Sequence, residues 1–319
     1  MNPSLVILAA GLSRRFGALK QLAPVGPKGE ALLDYTLYDA RLAGFQDAIF
    51  VVSAEARDEV THHVQRVIGT TMSCTFVVQR LDELPEHVSP RPDRARPWGT
   101  GHALLAAEPN VGGPFVVVNA DDFYGRGPME AMATHLRSLG EDGTTGFAMP
   151  SYRLEDTLAS SGGVSRALCE VAEDGRLLGV QELHDVRRVG GAIQGRRALD
   201  GTPLTFDGGE PVSMNMWGLT PVIFPLLRER FSGFLDARGS NSEAEFYLST
   251  AIDGLIRGGD ITVRGIPTRE CPFGVTFAED RDPCARRIAE LISQGEYPHD
   301  LRQAFADMGN DNAQESTCS

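Results

Sequence analysis

Residues 8–22, LAAGLSRRFGALKQL, bring a turn-forming glycine and three cations together just after an apolar run. Gly11 lets backbone amides approach a ligand, and a strand-to-loop turn can gather such amides around an anion. Arg14 and Arg15, followed by Lys20, suit the charged oxygens of a polyphosphate. The segment matches neither G-x-G-x-x-G nor GxxxxGK[ST]. The residues alone therefore leave two interpretations open, a phosphate-binding loop and a solvated basic loop.

A second polar cluster, VVVNADDFYG (116–125), places Asp121 and Asp122 directly after a buried apolar run. Two adjacent carboxylates repel each other unless a positive group joins them. Mg²⁺ takes one or two carboxylates together with substrate phosphates and water. The other interpretation is a cap for the helix that follows. Beside the loop at 8–22, we favour a site for metal-assisted phosphoryl chemistry.

Composition limits the classes of partner. The chain has 319 residues, 42% of them hydrophobic, and a net charge of −13, which argues against nucleic acid and anionic membranes as main partners. Five scattered cysteines without a CxxC pair predict reduced thiols. No signal peptide and no apolar stretch of spanning length is apparent, so we expect a cytoplasmic protein. No Ser-His-Asp or Cys-His set is credible, and the histidines of helical stretches are expected to be structural or solvent-facing (His62, His63, His102, His135).

The elements that must position these residues alternate between strand and helix through the first half. Apolar strands separated by helices predict an α/β, Rossmann-like fold with a mostly parallel or mixed central sheet and helices on both faces. Ligands bind beyond the carboxyl ends of such strands. Three predicted strands, 4–10, 74–79 and 114–120, end at Ala10-Gly11, Gln79 and Asp121-Asp122.

The second half predicts a smaller, β-rich lobe. ALCEVAEDGRLLGVQEL (167–183) is typical of a hairpin with an Asp-Gly turn, and strand character returns at 212–224 and 261–267. Helices are expected at 242–259 and 282–295. We predict one domain, 1–307, with a nucleotide lobe of about 1–125, an acceptor lobe of about 126–307 and a disordered tail, 308–319. The loop at 80–97 is either a flap over a ligand or a surface excursion.

The loop at 8–22 resembles the signature loop of sugar-1-phosphate nucleotidyltransferases, and NADD resembles the metal-bearing strand end of that family. The likeness covers roughly 4–300 and is strongest to a bacterial subgroup that also reads PWGTGHAL, NADDFYG and SMNMWG, here at 97–104, 119–125 and 213–218. The resemblance implies a nucleotide-diphospho-sugar transferase fold, similar to glycosyltransferase A, and an Mg²⁺-dependent enzyme.

The resemblance also assigns roles. Arg15 neutralises the triphosphate, Lys20 contacts phosphate oxygens, Gln79 contacts the base, and Asp121 binds Mg²⁺. The catalytic residues are thus expected to be Arg15, Lys20 and Asp121. The expected nucleotide site comprises Ala10, Gly11, Arg15, Lys20, Gln79, Gly99, Thr100 and Gly101. Glu182 and Asn215 face the acceptor, with Glu182 gripping sugar hydroxyls.

Two positions depart from the family pattern. Leu183 stands where the family has a lysine for the acceptor phosphate, and the substitute is expected to be Arg166, Arg187 or Arg188. Gly274 stands where many relatives have a second metal-binding aspartate. The second metal ligand is then Asp122, Asp280 or water, with Asp121 and Asp122 as our predicted metal ligands.

The reaction implied is the coupling of a nucleoside triphosphate to a sugar 1-phosphate, giving an NDP-sugar and pyrophosphate. An anionic phosphate oxygen needs no general base, so catalysis rests on positioning and charge neutralisation. Two alternatives stay open. One is transfer to another acceptor, such as an alcohol phosphate, a phosphocholine-like group or a molybdopterin. The other is an inactive nucleotide-sugar sensor. The base, the sugar and the oligomeric state are not indicated.

Overall fold

A computed structural model describes residues 2–11, 19–88, 94–139, 146–159 and 162–317, with side chains to residue 310. Arg15, the predicted catalytic arginine, lies outside the described residues. The strands are β1 (Ser4–Ala9), β2 (Asp47–Val52), β3 (Ser73–Val78), β4 (Phe115–Asn119), β5 (Asp122–Phe123), β6 (Gly146–Arg153), β7 (Val164–Val171), β8 (Leu177–Val189), β9 (Ala192–Arg197), β10 (Pro203–Phe206), β11 (Pro211–Ser213), β12 (Trp217–Leu219), β13 (Thr262–Pro267) and β14 (Phe273–Gly274). The helices are α1 (Leu32–Leu42), α2 (Arg57–Ile68), α3 (Thr100–Ala107), α4 (Arg126–Ser138), α5 (Ile223–Arg238), α6 (Leu248–Gly258), α7 (Arg281–Ser293) and α8 (Leu301–Thr317).

The N-terminal half of the main sheet is parallel. β1 pairs with β2 on one side and with β4 on the other, and β3 adds to β2, giving the order β3-β2-β1-β4. Side chains of β1 alternate between two cores: Leu5 and Ile7 enter one, and Val6 and Leu8 enter the other. Because both faces are covered, the strand is apolar throughout, as its sequence indicated.

Helices cover both faces of the sheet. The core that contains Leu5 is shared with α1, α2, α4, α7 and α8, and the core that contains Val6 is shared with α3, α5 and α6. The sheet then continues from β4 through β12, β6, β11, β7, β8 and β9 to β10 in antiparallel pairs, with β13 parallel to β6. The predicted α/β fold with a mixed central sheet is confirmed. In the described part of the chain, no helix is both long and apolar enough to span a membrane.

Several boundaries differ from the prediction. The strand expected at 212–224 is interrupted, because Asn215 adopts φ +62° between β11 and β12, and α5 follows from Ile223. The helix expected from 242 begins only at Leu248, because Phe246 before it is hydrogen-bonded to Trp98 and Gly101 at the start of α3. The backbone is helical up to Thr317, where the sequence predicts a disordered tail. This helix continues from Phe305, which is fully buried.

Candidate active site

The carboxyl ends of β1, β3 and β4 open into one cavity of about 490 Å³, which we name the first cavity. Of the residues predicted for the nucleotide site, its wall includes Ala10, Gly11, Lys20, Gln79, Gly99 and Thr100. It also includes Asp121, a predicted catalytic residue and metal ligand. Gly101 is not part of that wall within the described residues. Parallel strands end at the same edge, so three separate stretches of sequence meet here as expected.

Lys20 and Asp121 form an ion pair in this cavity. The Lys20 Nζ lies 2.5 Å from Asp121 Oδ2, with side-chain exposures of 17% and 31%. The short helix Lys20–Leu22 positions the lysine, and Gln21 anchors that helix by donating from Nε2 to Ala9 O at 3.0 Å. The pair places one cation and one carboxylate at the strand edge, both partly open to a ligand.

Gln79 is fixed at the end of β3 by two acceptors. Its amide Nε2 donates to His102 Nδ1 at 3.0 Å and to Gly99 O at 3.3 Å. His102 Nε2 lies 3.2 Å from Glu83 O, and burial lowers the pKa of His102 to about 4. His102 is therefore a neutral ring inside the protein, in agreement with its predicted structural role, and it also holds Gln79.

The glycines at 99 and 101 serve a packing role that the sequence alone does not indicate. Gly99 has φ +106°, and an added Cβ there would lie 2.7 Å from Phe246 O. A Cβ on Gly101 would lie 2.6 Å from the Phe246 ring. Phe246 N donates to Trp98 O, and Gly101 N donates to Phe246 O at 2.9 Å. The extended segment before α6 thus lies directly on the Gly99–Gly101 turn.

A second cavity of about 180 Å³ adjoins the first, and Thr100 and Asn119 belong to both walls. Glu182 and Asn215, the two predicted acceptor residues, line it together with Asp122. Ser249 Oγ donates to Glu182 Oε2 at 2.6 Å, and burial raises the pKa of Glu182. The structure therefore brings both acceptor residues to one site beside the first cavity.

Both polar side-chain atoms of Asn215 form hydrogen bonds within the protein. Its Nδ2 donates to Asn119 Oδ1 at 2.8 Å, and its Oδ1 accepts from Trp217 Nε1 at 3.1 Å. Asn119 Nδ2 in turn donates to Asp122 Oδ2 at 2.9 Å. This network explains why a left-handed asparagine interrupts the returning strand: it fixes the wall that separates the two cavities.

Asp121 and Asp122 face different cavities. Asp121 lines the first cavity and Asp122 the second. Burial, and next the charge of Asp121, raise the pKa of Asp122 to about 6. Asp280, the alternative ligand, accepts from Thr276 N and Phe277 N through Oδ2, as a cap before α7. Among the described residues, no three His, Cys, Asp or Glu side chains gather as a metal site.

Of the three arginines expected to replace the family lysine, only Arg166 lines the second cavity among the described residues. Strand register places Arg166 on β7 opposite Leu183 on β8, the position where the family pattern has a lysine. Its guanidinium donates to the carbonyls of Thr157 and Ser165. Arg187 pairs instead with Asp185 at 3.4 Å on the exposed side of β8.

Other residues of the site were missed by the sequence analysis. In the first cavity these are Arg96, which pairs with Glu245 at 2.8 Å, and Glu245 itself. In the second cavity they are Ser165, Ser213, Tyr247 and Ser249. The described part of the 80–97 loop is attached at its end, where Arg94 Nη2 donates to Ala244 O at 2.7 Å. No local pattern marks these residues, because they meet only through strand register and the segment before α6.

A comparison with known families finds a similarity in the N-terminal part of the chain. Residues 5–150 match the family model described as MobA-like NTP transferase domain. This region contains β1 to β4 and the whole first cavity except Glu245. Residues 5–150 are therefore similar to an NTP transferase domain. A comparison with the sequences of curated proteins found no match.

Solved structures agree in fold over most of the chain. The inositol-1-phosphate CTP transferase from T. maritima superposes with a TM-score of 0.58 at 14% identity, covering 91% of this chain and 97% of that one. A UDP-glucose pyrophosphorylase complexed with UDP-glucose gives 0.56 at 16% identity, covering 91% and 99%. HddC from Yersinia pseudotuberculosis gives 0.54 at 14% identity, covering 90% and 99%. At these identities the likeness shows that this chain shares the fold of these three proteins.

Proposed function

We propose that this chain transfers a nucleotidyl group from a nucleoside triphosphate to a sugar 1-phosphate in an Mg²⁺-dependent reaction. The observation that carries the proposal is the Lys20–Asp121 pair in a cavity that shares Thr100 and Asn119 with a second polar cavity. A triphosphate in the first cavity and an acceptor phosphate in the second would meet at that shared wall. Such juxtaposition is what group transfer between two bound substrates requires.

In this reaction an acceptor phosphate oxygen attacks the α-phosphorus in line. A new phosphorus–oxygen bond forms, the bond to the bridging oxygen of the β-phosphate breaks, and pyrophosphate leaves with that electron pair. The attacking oxygen is already anionic, so no proton needs to be removed. The work of the protein is to position the two phosphates and neutralise their charge. Lys20 does this from the short helix Lys20–Leu22, and the resemblance adds Arg15.

The donor set at the strand edge fits Mg²⁺. Asp121 offers one partly exposed carboxylate, and Mg²⁺ characteristically takes one or two carboxylates plus phosphate oxygens and water. When bound, the ion would polarise the phosphates and offset the charge of the leaving pyrophosphate. Lys20 lies on Asp121 in the structure, so nucleotide binding is expected to move its ammonium onto a phosphate oxygen.

The second cavity has the chemistry of a polyhydroxyl acceptor with an anionic end. A buried carboxylate, Glu182, and the hydroxyl groups of Ser213 and Ser249 suit sugar hydroxyls. Arg166 supplies the cation for the acceptor phosphate in place of the family lysine. Two proteins of similar fold are named for inositol 1-phosphate and UDP-glucose, which supports a phosphorylated polyol or sugar as the acceptor.

The test is a pyrophosphate-release panel that crosses the common nucleoside triphosphates with sugar 1-phosphates and with non-sugar acceptors, among them inositol 1-phosphate and phosphocholine, with and without Mg²⁺. We expect release for at least one pair, only with the metal. Release with inositol 1-phosphate, phosphocholine or another non-sugar acceptor alone would redirect the acceptor assignment. Triphosphate binding without release across the panel would instead indicate a sensor.

Arg166 is tested by Arg166→Lys, with Arg187→Ala as the matched control on the exposed side of the same hairpin. We expect Arg166→Lys to raise KM for the acceptor by about 10-fold or more, because an ammonium is a single point charge and lacks the planar fork with which a guanidinium binds phosphate. The KM for the triphosphate should stay near its original value. Arg187→Ala should leave both constants unchanged. Equal changes in both KM values for Arg166→Lys would contradict the assignment.

A further inference from the structure

Two main-chain carbonyls fix the direction of the hydrogen bonds around Gln79. A carbonyl oxygen only accepts, so the Gln79 atom 3.3 Å from Gly99 O must be the amide nitrogen. The same nitrogen lies 3.0 Å from His102 Nδ1, which therefore accepts. At the other side of the ring, His102 Nε2 lies 3.2 Å from Glu83 O and must carry the proton. Acceptors at both ends leave one consistent direction for the whole chain of bonds.

The environment of His102 maintains this state. The ring is 3% exposed and stacks at a tilt on Phe231, with centroids 4.9 Å apart. Burial is the largest cause of its lowered pKa, the charge of Arg94 adds to it, and the bond to Glu83 O opposes it in part. A neutral ring with its proton on Nε2 presents Nδ1 as a permanent acceptor to Gln79.

The other end of the Gln79 amide is open. Among the described residues, no group donates to Gln79 Oε1, and this oxygen is not one of the buried atoms without a partner. Gln79 itself lines the first cavity. Its amide therefore presents an oxygen, and not a nitrogen, to whatever occupies that cavity.

We propose that His102 is a positioning residue that keeps Gln79 Oε1 turned toward the cavity, so that the base contact which the resemblance assigns to Gln79 is made to a hydrogen-bond donor of the base. This inference rests on the proposed function, because it requires a nucleotide in the first cavity. The group recognised is a ring imino N–H or an exocyclic amino group. A base that offered only an acceptor at this point would place its oxygen or ring nitrogen next to Gln79 Oε1. Two acceptors cannot form a hydrogen bond, so such a base would be disfavoured.

The first experiment uses the wild-type chain with Mg²⁺ and measures Kd by calorimetry for ATP, GTP, CTP and UTP. The tightest binder is then compared with an analogue whose Watson–Crick donors are all methylated: N6,N6-dimethyl-ATP, 1,N2,N2-trimethyl-GTP, N4,N4-dimethyl-CTP or N3-methyl-UTP. Leaving the amide oxygen unpaired is expected to weaken binding by about 10- to 100-fold. Equal affinity for the analogue would overturn the inference alone. No binding of any triphosphate would overturn the proposed function and the inference with it.

The second experiment separates positioning from packing. His102→Asn retains an acceptor near the place of Nδ1, whereas His102→Leu removes it and fills similar space. The quantity compared is the ratio of Kd for the methylated analogue to Kd for the parent triphosphate. We expect this ratio to persist in His102→Asn and to shrink by at least about threefold in His102→Leu. The same penalty in both variants would overturn the role of His102.

Nitrogen-15 NMR of the labelled wild-type imidazole gives a readout that does not depend on ligand or variant. The inference requires the proton on Nε2 and a bare Nδ1 at neutral pH. A proton on Nδ1 would mean that Gln79 presents its nitrogen to the cavity, and the inference would be wrong.

Discussion

Replacing His102 with asparagine should change how the stability of the fold depends on pH. Burial lowers the pKa of His102 to about 4 in the folded chain, against about 6.5 for an unperturbed imidazole. Between these two values the unfolded chain binds a proton that the folded chain does not. Stability therefore falls as the pH falls through this window, and the effect is absent above it. His102→Asn removes the titrating group.

The size of the effect follows from the two pKa values. Between about pH 7.5 and about pH 5.5, the wild type should lose about 1.4 kcal/mol of unfolding free energy through this histidine. Other groups titrate in the same range, among them Asp39 and Asp122, whose pKa values burial raises to about 7 and about 6. They are common to both proteins and cancel in the difference. The lower pH stays above the sequence pI of about 5.0.

The assay is urea unfolding followed by circular dichroism at the two pH values. We expect the wild type to lose about 1.4 kcal/mol more than His102→Asn on acidification, whatever constant cost the substitution has at neutral pH. His62→Asn, on the exposed face of α2, is the matched control and should follow the wild type. If wild type and His102→Asn lose the same amount, the ring is not a neutral, buried acceptor and the reasoning fails.

Three further outcomes are expected. Asp121→Asn should lower the rate of Mg²⁺-dependent pyrophosphate release on the order of 10²- to 10³-fold, and an unchanged rate would contradict the metal assignment. Because the ion pair of Asp121 is partly exposed, the free energy of unfolding measured in urea should fall by less than about 1 kcal/mol. Gly99→Ala should destabilise the fold by about 1–3 kcal/mol, because residue 99 has a φ of +106° and the new Cβ would lie 2.7 Å from Phe246 O. The control Gly112→Ala, whose Cβ would meet no atom within 4 Å, should change the free energy of unfolding by less than about 0.5 kcal/mol. Equal urea midpoints for the two variants would refute the close packing at Gly99. Ser249→Ala removes a hydrogen bond that lowers the pKa of Glu182, so the acidic limb of the pH–rate profile should move to higher pH; an unmoved limb would mean that Glu182 need not ionise.

The parallel half of the fold was predictable because each of its strands is marked by a short apolar run in the sequence. Strand ends at Ala10, Gln79 and Asp121 follow from apolar runs and the residues after them, and parallel strands bring such ends to one edge. The place of Arg166 was not predictable in this way. It depends on antiparallel register between β7 and β8, and a shift of one residue would turn its side chain to the other face.

The contacts of Phe246 show the same limit for packing. The sequence around it carries an apolar spacing typical of a helix, yet the structure holds it extended against Gly99 and Gly101. Hydrogen bonds to a segment almost 150 residues earlier outweigh the local helical preference. The two glycines that the resemblance assigns to the nucleotide site are thus also required by a neighbouring segment of the chain itself.

The packing around Gly274 explains why this chain has a glycine where many relatives have a second metal-binding aspartate. β14 pairs with β5 so closely that a Cβ at 274 would lie 2.2 Å from Asp122 Oδ1. Asp122 thus occupies the space that a second aspartate would need, and Asn119 and the charge of Arg166 hold it toward the second cavity. Under the proposed function, Asp121 then contributes the carboxylate and the phosphates complete the coordination. Metal affinity should therefore depend on bound nucleotide, because one partly exposed carboxylate already paired with Lys20 is a weak site for a hydrated Mg²⁺.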